Sequence, residues 1–185
     1  MQVEVVFTII TYMKTISLVI GILHLLVVPS VTLADFSDAQ NHPYSEAINF
    51  VQSQKIVQGY PDGTYRPESA INRAEFIKIL VEATHSEVEL APYREALQHS
   101  QVLFTDTAMD AWYMPYVIAG KSEEIINGYP DNTFRPGNPV NYAEAAKIIV
   151  RSYGLEFGTG EPWYLPYHEA LNDLGAVPPT ISSFT

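Results

Sequence analysis

Three textures of apolar and polar residues follow one another along the chain. From Thr15 to Val28 the residues are almost all apolar, and residues 1–34 hold only two charges, Glu4 and Lys14. Further on, apolar residues recur at helical spacing. Ala47, Ile48 and Val51, with Ile56 just beyond, predict a helix over about Tyr44–Lys55. Phe76, Ile79, Leu80 and Ala83 fall at i, i+3, i+4 and i+7, which predicts a second helix with one buried stripe. Asn72, with Glu75 three residues on, reads as a capping box at its start. Between the helices lies Gly59-Tyr60-Pro61-Asp62-Gly63-Thr64-Tyr65-Arg66-Pro67, dense in turn formers. Gly59 is expected to stop the first helix in a left-handed conformation.

The pattern then repeats. Shifting Lys55–Glu82 by 69 positions lays it on Glu124–Arg151 without a gap, and half of the positions are identical. The second copy predicts a helix over Pro115–Glu124, stopped in a left-handed conformation by Gly128 where its loop opens, and a capping box at Asn141 and Glu144. Phe36-Ser37-Asp38 corresponds to Phe104-Thr105-Asp106. Trp112-Tyr113-Met114-Pro115-Tyr116 recurs as Trp163-Tyr164-Leu165-Pro166-Tyr167, followed by a helix-like stretch to Leu174, so a third copy begins and is incomplete. Ser86–Leu103 reads as a spacer, with a short helix over Tyr93–Gln98 and no separate domain. One such unit buries too little surface to fold alone, so the units are expected to pack on one another.

Composition changes the picture by exclusion. The net charge is −11, with 10 Lys+Arg against 21 Asp+Glu, which disfavours a nucleic-acid partner. With no cysteine there is no disulfide framework and no thiolate ligand or nucleophile. His42, His85, His99 and His168 are scattered without ligand spacing, and no carboxylate pair has a recognisable framework. The sequence therefore predicts no enzyme, no catalytic residue, no metal and no cofactor. Asp62 and Asp131 are expected to form turns rather than bind calcium, because each loop offers one Asp where a calcium loop needs several oxygen ligands. Arg66 and Arg135 are expected to pack over the loop aromatics.

The run after Lys14 has the length of a secretory signal core, and Thr32-Leu33-Ala34 resembles a cleavage site before Asp35. An uncleaved N-terminal membrane anchor is the alternative, and Met13 is an alternative start. Either way residues from Asp35 on are expected to be exported.

The ordered motifs F-[ST]-D, W-Y-x-P-Y, G-Y-P-D-[GN]-T-[FY]-R-P and [IV]-N-x-A-E, over most of residues 35–178, resemble the S-layer homology (SLH) domain family. The resemblance implies a mainly α fold of tandem helix–loop–helix repeats in a pseudo-threefold bundle. The repeats would cover 35–84, 104–154 and, incompletely, 155–185, with a leader at 1–34 and a spacer at 85–103. It implies carbohydrate binding: non-covalent anchoring to the bacterial cell wall through a secondary cell-wall polysaccharide, often with pyruvylated sugars, or through peptidoglycan. Carried over residue by residue, it assigns polymer binding to Arg73, Trp112, Asp38, Asp106, Gly59, Gly128 and Trp163. Tyr142 stands where the second copy's Arg would be, and Pro43 where the first copy's Trp would be. No full unit has both, so Arg73 of one copy and Trp112 of the next are expected to share a groove. Two alternatives stand beside anchoring. One is a structural surface-layer component in which a second copy of the chain completes the third repeat as a homo-oligomer. The other is the anchor fragment of a larger surface hydrolase.

Overall fold

The computed structural model describes residues 36–97 and 103–177. The predicted leader lies outside the described residues. Among the described residues there are six helices: α1 (Ser45–Ser53), α2 (Arg73–Thr84), α3 (Glu87–Ala96), α4 (Met114–Ser122), α5 (Tyr142–Ser152) and α6 (Leu165–Asp173). Among the described residues there is no strand beyond an isolated antiparallel bridge, Asn72 to Pro139. The fold is mainly α, as expected.

Two compact units divide the chain. Of the described residues, those up to Ser69, with those from Asn172 on, form one, and those within Ala70–Leu171 form the other. The division falls inside the first sequence repeat, between its loop and its second helix. In the first unit, α1 buries Ala47, Ile48 and Val51, and the Phe36 and Tyr65 rings meet with centroids 5.4 Å apart. Helix α1 ends in a Schellman turn: Lys55 N–H donates to Gln52 O (2.9 Å) and Ile56 N–H to Val51 O (3.0 Å). The left-handed residue in that turn is Lys55, at φ 61°. After α4 the left-handed residue is Glu124, at φ 60°, whose N–H donates to Lys121 O (3.3 Å). Gly59 and Gly128 therefore do not stop the helices. The buried Ile56 and Ile125 that follow the left-handed residues explain why non-glycine residues accept this conformation.

In the second unit α2 is central and packs against α4 and α5, while α3 packs against α4. Besides Phe76, Ile79 and Leu80 it buries Ile77 and Val81, so more than the single predicted stripe is covered. A helix with neighbours on two sides needs apolar residues on both. The first amides of α2 are closed by the second copy's loop: Arg73 N–H donates to Asn138 O and Ala74 N–H to Pro136 O, both at 3.0 Å. The capping boxes at Asn72–Glu75 and Asn141–Glu144 are formed as predicted. The spacer differs from expectation. Helix α3 starts well before Tyr93, at Glu87, behind a third capping box, Ser86–Glu89.

Candidate functional site

The loops are built the same way in both copies. Asp62 Oδ1 accepts from the Thr64 amide (3.1 Å) and hydroxyl (2.6 Å), and Asp62 Oδ2 accepts from Arg66 Nη2 (2.7 Å). Asp131 makes the matching bonds to Thr133 (3.1 and 2.6 Å) and Arg135 (2.9 Å). These bonds, the Thr hydroxyl's first, hold both carboxyls at about 2, below the ordinary value of 3.8. Arg66 lies over the Tyr60 ring at 4.0 Å and Arg135 over Tyr129 at 3.9 Å, as their sequence setting predicts.

Asp38 and Asp106 hold these loops from a distance in sequence. Asp38 accepts from the amides of Tyr65 and Arg66, both at 2.8 Å. Asp106 accepts from those of Phe134 and Arg135, both at 2.7 Å. Burial acts to raise the Asp38 pKa, but the two amides outweigh it and the net shift is downward. Gly59 and Gly128 lie in the loops at φ +70° and +79°. A Cβ at Gly59 would overlap the Phe36 ring and stand 2.7 Å from Thr64 O; one at Gly128 would overlap Phe104 and stand 2.9 Å from Thr133 O. The structure thus gives these four predicted binding residues a part in shaping the loops.

Two of the other three predicted residues, Arg73 and Trp163, line a groove. Within the second unit, Arg73, Asn127, Gly128, Glu144, Lys147 and Trp163 line a cavity of about 190 Å³, with Ile and Tyr side chains as its floor. Arg73 opens α2 yet is only 7% exposed. Its Nε donates to Phe134 O (2.8 Å), its Nη1 lies 3.5 Å from Glu144 Oε1, and its guanidinium faces the Tyr129 and Phe134 rings at 4.9 and 5.1 Å. Its Nη2 makes no hydrogen bond among the described residues. A buried Arg with donors left over, beside a cavity, is arranged to receive an acceptor. Glu144 is already engaged, by Tyr129 Oη (2.5 Å) and the Asn141 amide (3.3 Å). Trp163 is 48% exposed, with Lys147 Nζ over its ring at 5.6 Å.

The tryptophan that lines this cavity with Arg73 is Trp163, where the sequence led us to expect Trp112. Trp112 is outside the lining, 56% exposed, and packs edge-on against Tyr113 at 5.5 Å. The reason is the docking of α2 on the second copy's loop, which seats Arg73 at Phe134. Sequence reasoning missed Lys147; the available signal was its replacement of an acid-paired neighbourhood, visible only when Lys78 and Glu82 are set beside Lys147 and Arg151. No group of three or more His, Asp or Glu residues suited to a metal occurs among the described residues, and no helix there is long and apolar enough to cross a membrane.

Comparison with known proteins gives a consistent picture. Residues 35–77 and 103–146 match the model of the S-layer homology domain. The chain is 32% identical over 120 residues to the middle cell wall protein of Brevibacillus brevis, covering 64% of this chain and 11% of that protein. It is 32% identical over 120 residues to a surface layer protein of Brevibacillus choshinensis, covering 64% and 10%. It is 33% identical over 123 residues to a cellulosome-anchoring protein of Acetivibrio thermocellus, covering 66% and 26%. The chain thus spans about a tenth of the length of the first two relatives.

Proposed function

From the premise that the chain belongs to the S-layer homology domain family, we propose that it is an exported, non-catalytic anchoring module of the bacterial cell envelope. Its ligand is a wall glycan bearing an acidic substituent, carried by a secondary polymer or by peptidoglycan. The observation that carries this reading is the buried Arg73 facing an open cavity beside the half-exposed Trp163. Arg73 binds the acidic group through its remaining N–H donors. Trp163 stacks against a sugar ring, and the Gly128 loop fixes the edge of the groove. Asp38, Asp106 and Gly59 serve by holding loops in shape, and Trp112 offers a separate stacking face. With a net charge of −11, the protein repels an acidic polymer at long range. That repulsion is screened beyond about 8 Å at physiological salt, so the placed cations decide the outcome.

Co-sedimentation of the full chain with sacculi, before and after the secondary polymer is stripped, tests the reading. Binding is expected to fall on stripping, and Arg73→Ala to lose at least about tenfold in affinity. Equal binding to stripped sacculi moves the ligand to peptidoglycan. Undiminished binding by Arg73→Ala rejects the site.

A further inference from the structure

The two copies differ in one charge arrangement on the same helix. In the first, Lys78 Nζ bonds Glu82 Oε2 at 2.7 Å, and Tyr116 Oη donates to Glu82 Oε1 at 2.7 Å. The corresponding residues of the second copy are Lys147 and Arg151, so the carboxylate has become a cation. Lys147 has no hydrogen bond and no ion-pair partner among the described residues. It is half-buried and faces the Trp163 and Tyr167 rings at 5.6 and 6.0 Å. Arg151 gives no relief. Its Nη1 donates to Glu124 O (2.7 Å), and its Nε is buried without an acceptor among the described residues. Burial first, and then the Arg151 charge, push the Lys147 pKa down.

A half-buried cation without a counter-charge is costly unless something supplies one. This one opens onto the cavity that Arg73 also lines. We propose that Lys147 is a second cation for the glycan's acidic group, and that the exchange of Glu82 for Arg151 between the copies releases it for that task. The acidic group, a carboxylate or a phosphate, would lie between Arg73 and Lys147 with its sugar on Trp163. This inference rests on the anchoring reading above. The charged and titratable groups that share the cavity lining with Lys147 are Arg73 from α2, Glu144 from α5 and Tyr129 from the loop; Arg151 of α5 and the Tyr167 ring of α6 also lie near it.

The test uses the full chain and sacculi that carry their secondary polymer, and it compares Lys147→Gln, Lys147→Arg and Arg151→Glu with Arg73→Ala. Lys147→Gln is expected to weaken binding about tenfold. Arg151→Glu, which rebuilds the first copy's Lys–Glu pair, is expected to weaken binding while the protein still melts cooperatively. Parent binding should decline on the alkaline side below the ordinary lysine range, since the lowered Lys147 pKa sheds the proton early. Lys147→Arg should bind and lack that decline. If Arg73→Ala loses binding but all three other variants follow the parent at every pH, the role of Lys147 is overturned and anchoring stands. If the parent does not sediment with the sacculi, anchoring falls and this inference with it. Partial hydrolysis of the polymer, followed by competition with its released uronate or ketal sugars against its phosphorylated sugars, separates the two acid types.

Discussion

The two loop-and-helix copies share their loops and part company on the helix that follows. Each loop has the same Asp–Thr–Arg bonds, the same Arg over a Tyr ring, and the same distant Asp closing two backbone amides. On the next helix, Arg73 corresponds to Tyr142, and the Lys78–Glu82 pair corresponds to Lys147 beside Arg151. Tyr142 packs against His168. Its hydroxyl lies 3.2 Å from His168 Nδ1, and burial pushes its pKa up to about 12. The loop is thus the scaffold, and the helix that follows carries a different cation in each copy, Arg73 at its start in the first and Lys147 in mid-helix in the second. Arg73 of copy one and Lys147 of copy two line one groove, so the proposed site draws on both copies.

The sharpest way to break the likeness of the loops is to add a methyl group. Gly59→Ala and Gly128→Ala combine a left-handed backbone with overlap onto a buried Phe ring, and each is expected to destabilise by about 3 kcal/mol. Gly63→Ala has the same sign of φ (+79°) with nothing within 4 Å, and should cost only about 1 kcal/mol. Urea denaturation of the three variants checks this, and equal losses would show that the Phe contacts are immaterial.

Next in size is the loop closure. Asp38→Ala and Asp106→Ala each strip two amides, one part-buried and one exposed, of their acceptor, at a cost of about 1–2 kcal/mol. Matching losses in thermal melts would confirm that the two loops are mechanically alike; a loss in only one would break the comparison. On the helix, Glu82→Gln is expected to cost about 1 kcal/mol, because Lys78 loses its partner while Tyr116 keeps an acceptor. Arg151→Ala should not mirror it, since Lys147 is relieved of a like charge.

The smallest effect is in acid. Asp62 and Asp131 have folded-state pKa values of about 2 against an ordinary 3.8. A depressed carboxylate pKa contributes stability that is full above the unfolded value and is lost as pH falls through the folded one. Melting temperature should therefore slip between pH 3.8 and about 2, and Asp62→Asn with Asp131→Asn should flatten that slope.

Features made by near neighbours were legible in the sequence. The capping boxes at Asn72 and Asn141, the turns at Asp62 and Asp131, and Pro115 in the first turn of α4 depend on residues within four positions. The box at Ser86 and Glu89 was equally local and marks the true start of α3, although the spacer's polar character concealed it. The helix stops were misplaced at Gly59 and Gly128, because a left-handed Lys55 or Glu124 has no signature apart from the isoleucine after it. Arg73 was legible as a candidate through its motif, and Trp163 likewise, but their meeting was not.

What the sequence determined by itself is the repeated unit: its helices, its loop chemistry and its acidic balance, all of which follow from short-range bonding and periodicity. What only the tertiary structure decided is which residues share a cavity. That depends on the docking of α2 on the second copy's loop, where Asn138 and Pro136 close its first amides and Phe134 holds Arg73. Contacts between residues some sixty positions apart are fixed by packing, and no local pattern records them.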